Sequence, residues 1–149
     1  MAAAKRLEIG SAGQSRLHTD DAFLKESDAI YKDAALSATR AAEYVAMGFT
    51  AVKFDPAGPY GSFDPRQPSL ERLELSEAFC RKIREAVGTG CDLLFGTHGQ
   101  FTASGALRLA RRLEPYDPLW FEEPTPPEMP EEMAKVARQT TIPIATGER

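Results

Sequence analysis

The side chains best suited to acid–base or metal chemistry recur at comparable places along the chain: Lys53 and Asp55, His98, the adjacent Glu122 and Glu123, and Glu148. Each follows a short apolar run, and the same interval separates Gly96 from Glu122 and Glu122 from Glu148. Equal spacing is what successive copies of one structural unit produce, so the two carboxylates are expected to face a common centre. Carboxylates drawn together away from water repel one another and are costly to desolvate unless a positive charge compensates. Hard oxygen ligands favour Mg²⁺, although exposure or ion pairing with a basic side chain would serve as well. An imidazole at the same level titrates near neutrality in its ordinary state and so suits proton transfer, which makes His98 either an acid–base group or a hydrogen-bonded structural residue. Lys53 is placed to meet an anionic ligand or to pair with Glu123.

These residues need elements that bring them to one place. "AALSATRAAEYVAMG" spaces Leu36, Ala41, Tyr44, Val45 and Met47 along one helical face, with Gly48 as a stop. "FTAVKF" is a short β-rich run, and "DPAGPYGSFDPRQPS" is a long loop in which Tyr60 and Phe63 either cover a ligand or, more simply, anchor the loop. Ser69 then caps a helix with apolar positions Leu70, Leu73, Ala78, Ile83 and Val87, closed by Gly88. "CDLLF", "TASGALRLARRLEPY", "PLWFEEP", "PEEMAKVARQ" and "IPIATGE" continue the alternation as strand, helix, strand, helix and strand. Four cycles of strand and helix predict α/β architecture, a parallel sheet made of right-handed crossovers. In a parallel α/β barrel the functional groups gather at the C-terminal ends of the strands, which is where the candidates fall. Residues 1–33, with His18 among charges, show weak periodicity and are expected to form an irregular lead-in.

The chain has 149 residues, 42% hydrophobic, with a formal net charge of -4, which fits a globular unit with material for a core. The only adjacent basic pairs are Lys5-Arg6 and Arg111-Arg112, so no electrostatic footprint for nucleic acid is present. No stretch approaches the roughly 20 apolar residues that span a bilayer, and the opening "MAAAKRLEIG" lacks an apolar signal core, so a cytoplasmic location without membrane insertion is expected. Cys80 and Cys91 lack metal-ligand spacing and are expected to be buried thiols.

"GFTAVKFDP", "GTHGQF", "LEPYDPLWFEEPTPP" and "IPIATGER" resemble consecutive barrel segments of the enolase superfamily, in its mandelate racemase and muconate-lactonizing branch. The resemblance runs from about residue 34 to Arg149 and is closest to acid-sugar dehydratases of the galactonate dehydratase type. It implies a (β/α)₈ barrel domain, here over 34–149, in which Mg²⁺ holds a sugar-acid substrate while the proton α to its carboxylate is removed and a β-hydroxyl leaves as water. It also implies that Glu122 and Glu148 are metal ligands, that Glu123 orients its neighbours, that Lys53 binds substrate and that His98 is the acid assisting the departing hydroxyl. A homo-oligomeric parent enzyme is implied as well.

Two departures accompany the match. Gly96 stands where the family carries its first metal-ligating aspartate, so either His98 or a water completes the shell, or metal affinity is weakened, or the site is not catalytic. Lys53-Phe54-Asp55 replaces the K-x-K of the racemases, which argues against a lysine base on that strand. A complete barrel takes about 250 residues, so the chain is expected to be a partial barrel of about four βα units, without the N-terminal capping domain and the later strands, and inactive alone. The competing expectation is a non-catalytic half-barrel that self-associates or binds a partner through its open sheet edges.

Overall fold

The computed structural model describes residues 6–8, 29–56 and 63–148. His18, Tyr60 and Arg149 lie outside them. Five parallel strands, β1 (Arg6–Glu8), β2 (Ala51–Phe54), β3 (Asp92–Gly96), β4 (Trp120–Glu122) and β5 (Ile144–Ala145), pair in sequence order. The helices that accompany them among the described residues include α1 (Ala34–Ala46), α2 (Leu70–Val87), α3 (Ala103–Leu113) and α4 (Pro130–Gln139). Neighbouring parallel strands joined by helical crossovers form the wall of a (β/α) barrel, as the alternation predicts. β1 falls inside the lead-in expected to be irregular. Its three residues are too few to show a period, and its backbone ladder to β2, with Leu7 opposite Val52, makes it a strand.

Side chains alternate between the two faces of a strand. Val52, Phe54, Leu93, Phe95 and Phe121 face the helices and join the buried core, where the Phe95 ring stands 4.7 Å from Phe121 and 6.3 Å from Phe54. The opposite face carries Lys53, Leu94, Gly96, Trp120 and Glu122. The register sets Lys53 beside Leu94 and Leu94 beside Trp120; in the layer above, Gly96 lies beside Glu122 and Glu122 beside Ala145.

The helices start where the sequence places their caps. The Asp33 carboxylate accepts from the Ala35 and Leu36 N–H groups, and the Ser69 and Thr102 hydroxyls accept from Arg72 and Gly105. Pro130 occupies the first turn of α4, where its missing N–H costs nothing. The buried face of α1 differs from the expected one: Ala34, Ser37, Ala38 and Ala41 are inside, while Met47 lies past the helix end and is exposed. Small residues allow α1 close to its neighbours, and the expected Tyr44 and Val45 pack against the core from the edge of that face. In α2 the buried set is Leu73, Ser76, Phe79, Cys80 and Ile83, and Leu70 at its open first turn is exposed. Burial raises the pKa of the Cys80 thiol, which leaves it a packing residue.

One side chain ties α2 to both strands that follow it. The Arg84 guanidinium donates to the carbonyls of Gly88 (2.8 Å), Cys91 (2.6 Å), Tyr116 (3.1 Å) and Asp117 (3.1 Å). Bonds from a charged donor to partly buried carbonyls are worth more than neutral ones, and truncation leaves the acceptors without a donor. Arg84→Met is therefore expected to lower the unfolding free energy by about 2–3 kcal/mol, read as a shift of the urea midpoint at constant slope.

Glu114 secures the entry to β5 in a similar way. Its carboxylate accepts from the Thr141 N–H at 2.9 Å and the Thr140 hydroxyl at 2.8 Å, and these bonds, the backbone one foremost, hold its pKa below the ordinary carboxylate range. A depressed folded-state pKa gives stability that is complete above the unfolded value and lost as pH falls through the folded one. Wild type should therefore melt higher than Glu114→Gln near neutrality, and the gap should close as pH drops below about 4. Melting curves of both proteins across that window check it, and a gap independent of pH would refute the assignment.

Candidate active site

β2, β3 and β4 deliver the site from their C-terminal ends. Lys53 leaves β2 and its ammonium donates to Glu122 Oε1 at 2.6 Å, with Glu148 Oε2 at 3.5 Å on its other side. Trp120, two positions before Glu122 and on the same face, donates its indole N–H to Glu122 Oε2 at 3.2 Å. Both oxygens of Glu122 are thus engaged. Burial, the largest single influence, pushes the Glu122 pKa up, but the bonds from Lys53, Glu148 and Trp120 and the charge of Lys53 together outweigh it, and the group is held below its ordinary value.

The stretch after β3 is a tight turn fastened to the end of β4. Thr97 N–H donates to Glu122 O, Gly99 N–H to Glu123 O and Phe101 N–H to Pro124 O, while the Thr97 hydroxyl donates to Glu123 O at 3.0 Å. To make these bonds the backbone turns left-handed at His98 (φ 53) and Gly99 (φ 72). Glycine takes that region freely and histidine does so at a cost, so His98 is held in a strained position by the surrounding ladder. The strain aims its ring between two carboxylates: Nδ1 stands 3.9 Å from Asp55 Oδ2 and Nε2 stands 3.6 Å from Glu148 Oε1. Both separations exceed a direct hydrogen bond.

Asp55 is itself positioned from α2. The Arg72 guanidinium donates to Gln100 Oε1 at 2.9 Å, and the Gln100 amide reaches Asp55 Oδ2 at 3.4 Å in a buried setting. Glu123 orients the other flank. It is 1% exposed, also left-handed (φ 46), and its Oε1 accepts from the Gly147 and Glu148 N–H groups at 3.2 and 3.1 Å. The carboxylate of Glu123 therefore bonds the backbone that carries Glu148.

Lys53, His98, Glu122 and Glu148 thus converge as the strand-end rule predicts, with Glu123 behind them. Sequence reasoning missed Trp120, Gln100 and Arg72. Trp120 was findable from the two-residue period of a strand, whereas Arg72 and Gln100 meet Asp55 only through tertiary packing.

The pair Glu122 and Glu148 offers room for one cation, and in this arrangement Lys53 is that cation. Among the described residues no group of three or more His, Cys, Asp or Glu side chains is arranged to hold a metal ion. At Gly96 an added Cβ would stand 3.6 Å from Lys53 Cε and 3.7 Å from Glu122 Oε1, ordinary contact distances, and φ there lies outside the left-handed region. The backbone would accept a side chain, but atoms beyond Cβ would compete with Lys53 for its space. Mg²⁺ needs only one or two carboxylates when water and substrate complete its shell, and the two that would hold it here are Glu122 and Glu148, both within reach of Lys53.

Comparison with known proteins identifies the family. Residues 37–149 match the family model described as enolase C-terminal domain-like. The chain belongs to this family. Among curated relatives of this enolase-superfamily chain, the D-gluconate dehydratase of Thermoproteus tenax is 41% identical over 118 residues, covering 79% of the chain and 23% of that protein. The D-xylonate dehydratase of Haloferax volcanii is 39% identical over 109 residues, covering 68% and 26%. A solved structure of the mandelate racemase/muconate lactonizing type from Labrenzia alexandrii DFL-11 shares 72% identity with a TM-score of 0.77, covering 80% of this chain and 32% of that one. The chain spans about a quarter of the length of the curated relatives it matches. Among the described residues no helix is long and apolar enough to cross a membrane.

Proposed function

We propose that the chain carries the acid-donating side of a sugar-acid dehydratase site. The observation that carries the reading is the position of His98, between Asp55 and Glu148 at the same strand-end mouth as the Lys53–Glu122 pair. The names of the dehydratase relatives supply the substrate class, an aldonate with a hydrogen on the carbon α to its carboxylate and a hydroxyl on the next.

In the proposed reaction a base of the complete barrel takes the α-proton, and the electron pair left behind moves toward the carboxylate. It then returns to form a carbon–carbon double bond as the β carbon–oxygen bond breaks. His98 gives its proton to the departing oxygen, which leaves as water instead of hydroxide, and the enol product tautomerises to an α-keto acid. General acid assistance of this kind matters because hydroxide is a poor leaving group. Asp55 and Glu148 keep the imidazole in line with the mouth, and Glu123 keeps Glu148 in place. Lys53 is the cation for the substrate carboxylate. With the ammonium withdrawn from the pair, Glu122 and Glu148 would hold Mg²⁺, which supplies further positive charge at that carboxylate.

The test is α-keto acid formation from gluconate, xylonate and galactonate by a closed barrel in which residues 37–149 replace the matching segment of the Thermoproteus tenax relative. Turnover of at least one aldonate is expected. Failure on all of them, with the unaltered relative active in the same assay, would favour the non-catalytic half-barrel instead.

A further inference from the structure

We infer that the Lys53 ammonium and a divalent cation are mutually exclusive occupants of the space between Glu122 and Glu148, so that metal binding releases Lys53 for the substrate carboxylate. The ammonium is bonded to Glu122 Oε1 at 2.6 Å and lies 3.5 Å from Glu148 Oε2, so it neutralises the two side chains a divalent ion would need. Its stem passes over Gly96, where a family aspartate would otherwise compete with it for space. Two positive charges between the same carboxylates would repel at short range in a partly buried setting, so one must leave before the other settles. The flexible four-carbon stem of lysine allows that departure, which a fixed arginine fork would resist.

The consequence is a built-in order. Seated between the carboxylates, Lys53 holds the pair closed and is itself engaged. Loading a divalent ion frees a cation beside it, at the place where an anionic sugar acid needs one. Gly96 lies beside the stem of Lys53, where an added Cβ would stand at contact distance, 3.6 Å from Lys53 Cε. The affinity of the pair for metal is lowered by the fraction of chains in which the lysine is seated.

This deepens the dehydratase reading of the same site but needs no turnover to be tested. Mn²⁺ binding to the 149-residue chain, followed by loss of the free-ion resonance signal, should tighten by about ten-fold or more in Lys53→Met. Glu122→Gln added to that variant should abolish the gain. In the unaltered chain, amine labelling of Lys53 followed by mass spectrometry should increase as Mn²⁺ is added. Equal Mn²⁺ affinity in wild type and Lys53→Met, or tighter binding by wild type, would overturn the inference. So would Lys53 labelling that stays constant at saturating Mn²⁺, a readout that does not depend on the variant folding. If metal binding behaves as stated and the completed barrel dehydrates nothing, the dehydratase reading falls while the exclusion stands.

Discussion

Replacing His98 by asparagine is expected to slow dehydration by the completed barrel by about 10²–10⁴-fold. Asparagine is close to histidine in size, tolerates the left-handed backbone that the turn imposes at φ 53, and cannot pass a proton at neutral pH. The loss should fall on kcat, with KM little changed, because a group that acts on the leaving hydroxyl stabilises the transition state and contributes little to ground-state binding. The urea midpoint should stay near that of wild type, since the bonds that fasten the turn come from Thr97, Gly99 and Phe101. A drop in stability with kcat intact would make His98 a structural residue.

The second large effect is expected at Glu123. Its buried carboxylate accepts from the Gly147 and Glu148 N–H groups, so Glu123→Ala leaves two donors without their acceptor and opens a void behind the site. The cost should be about 2–4 kcal/mol. The same change should loosen Glu148, which lies 3.5 Å from Lys53 and 3.6 Å from His98, so catalysis in the completed barrel should fall as well. Glu123→Gln retains an acceptor oxygen and should recover part of both losses. Amide hydrogen exchange at Gly147 and Glu148 reads the local effect: faster exchange in Glu123→Ala is expected, and unchanged exchange would remove Glu123 from the positioning of Glu148.

The fold was legible where periodicity was long. α2 and α3 have caps and an amphipathic pattern, and the apolar runs of β2, β3 and β4 are bounded by turn residues. The three-residue β1 was not legible, because it takes its identity from pairing with β2 and not from its own pattern. The inner face of α1 is legible only in part: Ala41 is buried and Tyr44 and Val45 pack against the core as the pattern predicts, while close helix packing adds Ala34, Ser37 and Ala38, which a pattern of large apolar residues does not mark.

The site was legible as a set of strand ends but not as a set of partners. That Lys53, His98, Glu122 and Glu148 share one mouth follows from alternation and equal spacing. The pairing of Lys53 with Glu122, instead of the Glu123 partner weighed for it, depends on strand register. Gly96 shows the same limit. As a letter it says nothing of its neighbours, and only the folded chain sets Lys53 Cε 3.6 Å from the place a Cβ would take there.

The most direct test of the central claim, that His98 protonates the departing group, compares two substrates in the completed barrel: an aldonate and its analogue carrying fluorine in place of the β-hydroxyl. Fluoride leaves without taking a proton, so it needs no acid. His98→Asn is expected to lose about 10²-fold or more on the hydroxy acid and to eliminate fluoride at nearly the wild-type rate. Equal losses on both substrates would contradict the assignment and leave His98 as part of the scaffold.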